Sequence, residues 1–416
     1  MSSQIGKKIK VSIFGESHGT AIGAVVENLP AGETIDFDEL QSFLKRRQGG
    51  NNKYSTPRKE ADIPEIVSGI KDGITTGAPL CLFIKNENTR SQDYKIDIPR
   101  PGHADFTAYI KYNGFCDLRG GGHFSGRLTA PICAVGGILL QILKRRGIEI
   151  VAHLFSVGEI EDNKIDTLSL NQEQLNKIKS GNFPTFSDIA GEQMQNLILS
   201  VREEGDSVGG CVACGIYGLD AGIGEPIFDG IENAVASAVF GIGGGKGIEF
   251  GAGFASSKMK GSENNDAFYM DGDTVKTKTN NHGGILGGIT TGMPITFRVA
   301  FKPTPSISKN QQSISFSEKK NVALSTNGRH DPCIAVRAVP CIEAIAAIAI
   351  SDFISSISLS NSSYLLFFFI AFNALFLAIL NKYVLKEEPK YFSAVVPVGC
   401  DLYSSDAKNF IYQQNL

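Results

Sequence analysis

The sequence has almost no net charge, no secretory leader and no paired metal-ligand motif, and each absence narrows what the chain can do. Forty Lys and Arg stand against 43 Asp and Glu in 416 residues, a formal charge of −3. No general attraction to nucleic acid follows, and an anionic ligand would need a local basic pocket. Residues 1–10 are polar and carry neither an apolar signal core nor an Arg/Ser-rich transit pattern. Eight cysteines are scattered along the chain, and without a leader they argue against a disulfide framework. A reduced, cytoplasmic protein is expected. Cys211-Val212-Ala213-Cys214 lies in an apparent strand, where i and i+3 face opposite sides, and no second pair stands at zinc spacing. No metal is therefore expected. No linker-like composition interrupts the chain before residue 354.

What is present is glycine, 46 residues of it, often beside cations. The densest example is Arg119-Gly120-Gly121-Gly122-His123-Phe124-Ser125-Gly126-Arg127. Glycine lets backbone N–H groups approach a ligand closely, and successive N–H groups form anion-binding concavities. Arginines at both ends suit phosphate or carboxylate. The apolar run from Leu128 to Leu143 predicts a helix beginning near Ser125, whose positive end would face the same pocket. Lys45, Arg46, Arg47, Lys53, Arg58 and Lys59 form the densest basic cluster, at the end of a helix predicted over Asp36–Arg47 with Asp36 or Thr34 as its cap. A solvated helix end is the plain alternative there. Arg100-Pro101-Gly102-His103-Ala104-Asp105, Lys302-Pro303-Thr304-Pro305-Ser306 and Gly328-Arg329-His330-Asp331-Pro332-Cys333 add histidine, hydroxyls and further charge. Each alone reads as an ordinary turn. Together they supply what acid–base chemistry on a phosphorylated ligand needs.

Two lookalikes fail. Gly15-Glu16-Ser17-His18-Gly19 matches the nucleophile elbow of α/β-hydrolases, but only 14 residues precede it, too few for the upstream oxyanion strand. His18 is better read as a proton donor on a strand-end loop. Gly241–Gly247 resembles a phosphate-binding Walker loop, but Gly247 stands where Ser or Thr should bind Mg²⁺.

The chain also echoes itself. Gly73-Ile74-Thr75-Thr76-Gly77-Ala78-Pro79-Leu80 recurs as Gly288-Ile289-Thr290-Thr291-Gly292-Met293-Pro294-Ile295, each before an apolar strand. Two halves on a similar sheet unit are expected. Strands are predicted at Ile9–Phe14, Ala21–Leu29, Glu149–Ile160 and Gly209–Leu219. Helices are predicted at Leu170–Lys179, Ala190–Glu204 and Ile231–Phe240. Interleaved helices and strands with frequent glycine turns favour an α+β fold over a doubly wound sheet. Residues 354–416 depart from this pattern. Within them, 365–380 is a nearly unbroken apolar stretch, somewhat short of the ~20 residues of a membrane span. A membrane anchor, a packed or oligomeric helix and an aberrant tail all remain open for it.

Phe14–Gly19, Arg90–Tyr94, Arg100–Asp105, Arg119–Arg127, Gly205–Gly209, Gly283–Gly288, Lys302–Ser306 and Gly328–Arg337 resemble, in order, the motifs of the chorismate synthase family. The resemblance covers about residues 5–353, and residues 1–353 are taken as one catalytic domain. It implies an α+β fold of the β-α-β sandwich type and a homotetramer. It also implies an anti 1,4-elimination of phosphate from 5-enolpyruvylshikimate 3-phosphate to give chorismate, dependent on reduced FMN. No flavin-reductase module is apparent, so an external reductant is expected, with NADPH as a possible indirect source. Carried over by resemblance, Arg47, Lys53, Arg127 and Arg329 would hold substrate. His18 would protonate the leaving phosphate, and His103 the reduced flavin. Ser17 and Ser125 would relay or position protons, and Asp331 would act as a base. His123, Phe124, Ser125, Gly243, Gly244, Gly287, Lys302, Pro303, Thr304, Pro305, Ser306 and Arg329 would form the flavin pocket. Lys53 stands where the family often has arginine, His123-Phe124 where better-known members have Arg-Ser, and Gly243-Gly244 where they have Asn-Ala. A non-catalytic flavin- or phosphate-binding protein on the same scaffold is the competing class. The presence of His18, His103 and Asp331 speaks against it.

Overall fold

The computed structural model describes residues 3–50, 53–56, 58–89, 96–180, 183–326 and 330–354. The apolar stretch 365–380 lies outside the described residues, as do Arg329 and Arg90–Tyr94. Two five-stranded antiparallel sheets enclose a layer of helices. In the first sheet the spatial order is Gln4–Ile5, Lys10–Gly15, Ala21–Glu27, Leu80–Lys85, Glu65–Ser68. In the second it is Gly245–Phe250, Ile295–Phe301, Gly210–Tyr217, Glu149–Val157, Ile160–Glu161. The Thr129–Arg145 helix packs on the first sheet and the Ala335–Ile354 helix on the second, and the two helices pack on each other. This is the expected α+β sandwich, and it is split between residues up to 145 and residues 149–354.

Both central helices are apolar nearly all round, which is why they occupy the middle layer. Gly126–Arg145 is long and apolar enough to cross a membrane, but most of it is buried inside the fold, as a core helix is. Phe37–Arg47 begins where Asp36 accepts hydrogen bonds from the backbone N–H groups of Asp38 and Glu39, and it ends on Lys45, Arg46 and Arg47.

The sequence echo is a structural repeat. Thr75 and Thr290 are both buried, in short hairpins that precede Leu80–Lys85 and Ile295–Phe301. The Thr75 hydroxyl donates to the Pro30 carbonyl and accepts from the Glu33 N–H. The Thr290 hydroxyl donates to the Asp220 carbonyl and accepts from the Ile223 N–H. Their backbone groups match as well: Gly32 donates to Thr75 and Gly222 to Thr290. One threonine latch thus fixes the same chain reversal in each half.

Candidate active site

Three successive residues, Gly120, Gly121 and Gly122, have φ of 61°, 86° and 54°. Only glycine adopts such a left-handed run without strain. The run forms a tight turn that ends at Ser125, whose side chain accepts from the Arg127 N–H and opens the helical segment running into Thr129–Arg145. The glycine turn is clamped to the loop after Lys10–Gly15. Ser17 N–H donates to the Gly122 carbonyl at 3.1 Å, and His123 Nδ1 donates to the Gly15 carbonyl at 2.7 Å.

That clamp brings two imidazoles to adjacent glycines. A Cβ on Gly120 would stand 2.6 Å from His18 Nε2 and 2.8 Å from Ser17 Oγ; one on Gly121 would stand 3.1 Å from His103 Cε1. His18 and His103 therefore flank one turn rather than separate clefts. Any side chain at these positions would displace them.

The turn forms part of the wall of a cavity of about 380 Å³. Of the residues singled out in the sequence, Arg47, His103, Phe124, Ser125, Arg127, Gly243, Gly244, Lys302, Thr304, Pro305, Ser306 and Asp331 line it. His18 and Ser17 stand behind Gly120; Ser17 is fully buried and its hydroxyl accepts from Arg58 Nη1 at 3.4 Å. His123 is turned to the N-terminal strands, with Nε2 accepting from the Ser3 hydroxyl at 2.8 Å. Gly287 sits in the hairpin turn between Leu286 and Ile289, and Pro303 packs near Gly209; neither lines the cavity. Lys53 is exposed, and its carbonyl accepts from Arg202. Arg119, the first bracket of the glycine motif, pairs with Asp117 at 2.7 Å and is likewise not among the lining residues.

The wall holds six cations, Arg47, Arg58, Arg100, Arg127, Lys302 and Arg337, against three carboxylates, Glu60, Asp62 and Asp331. The arginines are each held by an acid. Buried Asp62 lies between Arg47, at 2.8 Å from Nη1, and Arg127. Burial pushes the Asp62 carboxyl up, but the two guanidiniums outweigh it and hold it below the usual carboxylate range. Arg47 also donates to the Thr129 hydroxyl and the Gly126 carbonyl. Arg58 pairs with Glu60 at 2.7 Å. Arg337 pairs with Asp331 at 2.6 Å, while Asp331 also accepts from the Thr56 N–H. Lys302 instead reaches the Gly102 carbonyl. Six donors aimed by fixed partners form a preorganised anion site.

His103 is a partly buried imidazole beside two cations. Its Nδ1 donates to Asp105 at 2.6 Å, and Asp105 accepts from Arg100 Nε at 2.8 Å. Burial lowers the His103 pKa, and Arg100 and Lys302 lower it further against the opposing pull of Asp105. The neutral form therefore prevails at neutral pH, its Nδ1–H fixed by Asp105. Arg58, Asp62, Asp105 and Arg337 carry none of the roles inferred from sequence. A local signal, spacing from arginine, exists for Glu60 two residues after Arg58 and for Asp105 five after Arg100, but not for Asp62. No group of three or more metal-ligating side chains occurs among the described residues.

A family model described as chorismate synthase matches residues 9–355. A chorismate synthase of Dehalococcoides mccartyi is 44% identical over 354 residues, covering 85% of this chain and 96% of the relative. One from Korarchaeum cryptofilum is 42% identical, covering 84% and 96%. A crystal structure of chorismate synthase superposes with a TM-score of 0.67 at 29% identity, covering 84% of this chain and 92% of the other.

Proposed function

This chain belongs to the chorismate synthase family, lyases that form chorismate in the shikimate pathway, and we propose that it eliminates phosphate from 5-enolpyruvylshikimate 3-phosphate by an anti 1,4-elimination dependent on reduced FMN. The observation that carries this reading is the cationic cavity whose wall includes His103 and Gly120, with His18 directly behind Gly120. The residues present fit the flavin. Phe124, Ile242, Phe301 and Ile334 offer an apolar wall, Gly243 and Gly244 let the backbone approach closely, and Lys302, Thr304 and Ser306 offer a cation and hydroxyls for its phosphate. Reduced FMN supplies the electron density that a weakly acidic C–H otherwise lacks.

The chain's own residues do the rest. Arg47 and Arg127 hold the phosphate and carboxylates of the substrate, and because Asp62 fixes both guanidiniums they need no reorganisation as charge develops. His18 gives a proton to the departing phosphate, positioned by Ser17. His103, neutral with its Nδ1–H held by Asp105 and its Nε2 3.3 Å from Arg100 Nη2, exchanges a proton at the cavity wall. Asp331, aimed by Arg337 and the Thr56 N–H, is a carboxylate base at the opposite wall. Ser125 lies at the start of the helix, close to the anion. Lys53, Arg329, His123, Pro303 and Gly287 complete the family's set. Exposed Phe115, Ile227, Phe228 and Phe254 support burial in a homotetramer. We place the enzyme in the cytoplasm, residues 1–353 as its catalytic domain and 354–416 as an atypical tail, with flavin reduced by an external donor that NADPH can feed.

The test is anaerobic phosphate release from the enolpyruvyl substrate. Turnover is expected with dithionite-reduced FMN and none with oxidised FMN. Equal release with the oxidised cofactor would overturn the reading.

A further inference from the structure

Cys133 lies in Thr129–Arg145 and Cys341 in Ala335–Ile354, with their sulfurs 3.7 Å apart. Of the two, Cys341 lines the cavity and is 3% exposed, while Cys133 is 0% exposed and lies behind it. The helices are close here because Gly136 faces Ala344, and a Cβ on Gly136 would overlap it. Both contacts advance three residues on both helices, so the helices run parallel at this point. A disulfide needs sulfurs about 2.05 Å apart and Cα atoms within about 7 Å. Closing the gap calls for a shift of less than ~2 Å.

The two thiols are unequal. Cys133 donates its S–H to the Cys341 sulfur, and Cys341 in turn donates to the Arg337 carbonyl at 3.3 Å. The bond from Cys133 and the nearby Arg47 and Arg337 guanidiniums lower the Cys341 thiol against the effect of burial. Burial pushes Cys133 well up. Cys116, Cys211, Cys214 and Cys333 are raised as well. The nearby acids, Asp62 and Asp331, are engaged by arginines. The thiolate is the reactive form, and an electropositive site favours it.

We propose that Cys341 is a peroxide-sensitive thiol at the cavity wall and that Cys133 resolves its oxidised form to a reversible disulfide. The Cys341 thiolate attacks a peroxide oxygen, the O–O bond breaks and hydroxide leaves, giving a sulfenic acid. The Cys133 sulfur then attacks the sulfenic sulfur. The S–O bond breaks, the S–S bond forms, and water leaves with the Cys133 proton. Two thiols and one peroxide become one disulfide and two waters once the hydroxide is protonated. Reduced flavin reoxidised by dioxygen releases peroxide, so the proposed function would supply the oxidant in the same cavity; the thiol chemistry itself does not rest on that reading. The disulfide ends the Cys341 hydrogen bond to the Arg337 carbonyl and draws the sulfur toward Cys133.

The full-length protein, without flavin or substrate, is treated with limiting hydrogen peroxide, then alkylated and peptide-mapped. The expected product is a Cys133–Cys341 linked peptide that dithiothreitol splits. In Cys133→Ala, which alters no lining residue, the expected product is a Cys341 sulfenic acid trapped by a cyclic 1,3-dione, with no linked peptide. A Cys133→Ser variant gives the same readout should the alanine variant fold poorly. A free Cys341 alongside oxidised Cys81 or Cys116 would overturn the proposal, as would sulfinic acid at Cys341 while Cys133 is present. The map is read without turnover, so failure of the lyase reading leaves it interpretable.

Discussion

Each half of the molecule carries a histidine–aspartate pair: partly buried His103 with Asp105 in the first, fully buried His153 with Asp162 in the second. In both, burial lowers the histidine pKa and the carboxylate opposes it. Asp105 is further engaged by Arg100, Asp162 by the backbone N–H groups of Phe186 and Ser187. The pairs differ in access. His103 lines the cavity, whereas His153 is 0% exposed, stacks on Phe186 at 4.0 Å, and its Nε2 has no hydrogen-bond partner. A perturbed imidazole is therefore not by itself an active-site group. Its remaining nitrogen must open onto space where a reactant fits.

The largest expected effects would separate the two pairs. His103→Ala should lower turnover by about 10²–10⁴-fold, the usual worth of a positioned proton-transfer group, with little change in melting temperature. His153→Ala should leave turnover within a few-fold and cost ~2–5 kcal/mol of stability by opening a core cavity. Phosphate release and denaturant unfolding measure the two. Wild-type turnover in His103→Ala would erase the distinction. Comparable in size is Asp62→Ala, which strands two buried guanidiniums and should destabilise by ~3–5 kcal/mol. The substrate's phosphate, added at saturation, should recover part of that loss as a thermal shift.

The threonine latches compare the halves on equal terms. Thr75→Val and Thr290→Val each leave a carbonyl and an N–H without their hydroxyl partner, and each should cost ~1–3 kcal/mol. Costs that differ several-fold in denaturant melts would show that the repeat is one of shape and not of energetics.

Much of this was legible beforehand. Asp36 as cap, the amphipathic helix after it, the triple-glycine turn and the Thr75/Thr290 echo are local signals, readable because backbone conformation and capping depend on few neighbours. The Ala335–Ile354 helix, apolar nearly all round, has no periodicity to mark it, whereas the equally apolar Thr129–Arg145 is announced by the glycine turn before it. The strand Gly245–Phe250 is hidden in a glycine run, the hairpin Phe268–Thr277 is mostly exposed, and Gln311–Ser315 alternates in burial but is polar at all positions save Ile314. In the site, sequence named Arg47, Arg127, Lys302 and Asp331 but gave no role to Asp62, Arg58 or Arg337. Asp62 meets Arg127 across 65 positions, and Arg337 reaches the Arg47 carbonyl across 290. Such pairings follow from the tertiary fold and leave no local trace.

The smallest effect is the response to acid, and it ranks the two histidines directly. Burial makes each easier to keep neutral in the folded chain than in the unfolded one, where a histidine titrates near ~6.5. Between that value and the lower folded value, the unfolded chain holds more protons, so stability rises with pH and is lost as pH falls from ~6.5. Each histidine contributes at most about 1.4 kcal/mol per pH unit. The lowered carboxyls of Asp105 and Asp162 act at more acidic pH and do not mask it. Because His153 is sealed while His103 meets the cavity, His153→Phe should flatten the stretch of a melting-temperature profile below pH ~6.5 more than His103→Ala does. The opposite ranking would mean that Arg100 and Lys302, rather than access to the cavity, set how strongly the first histidine resists protonation.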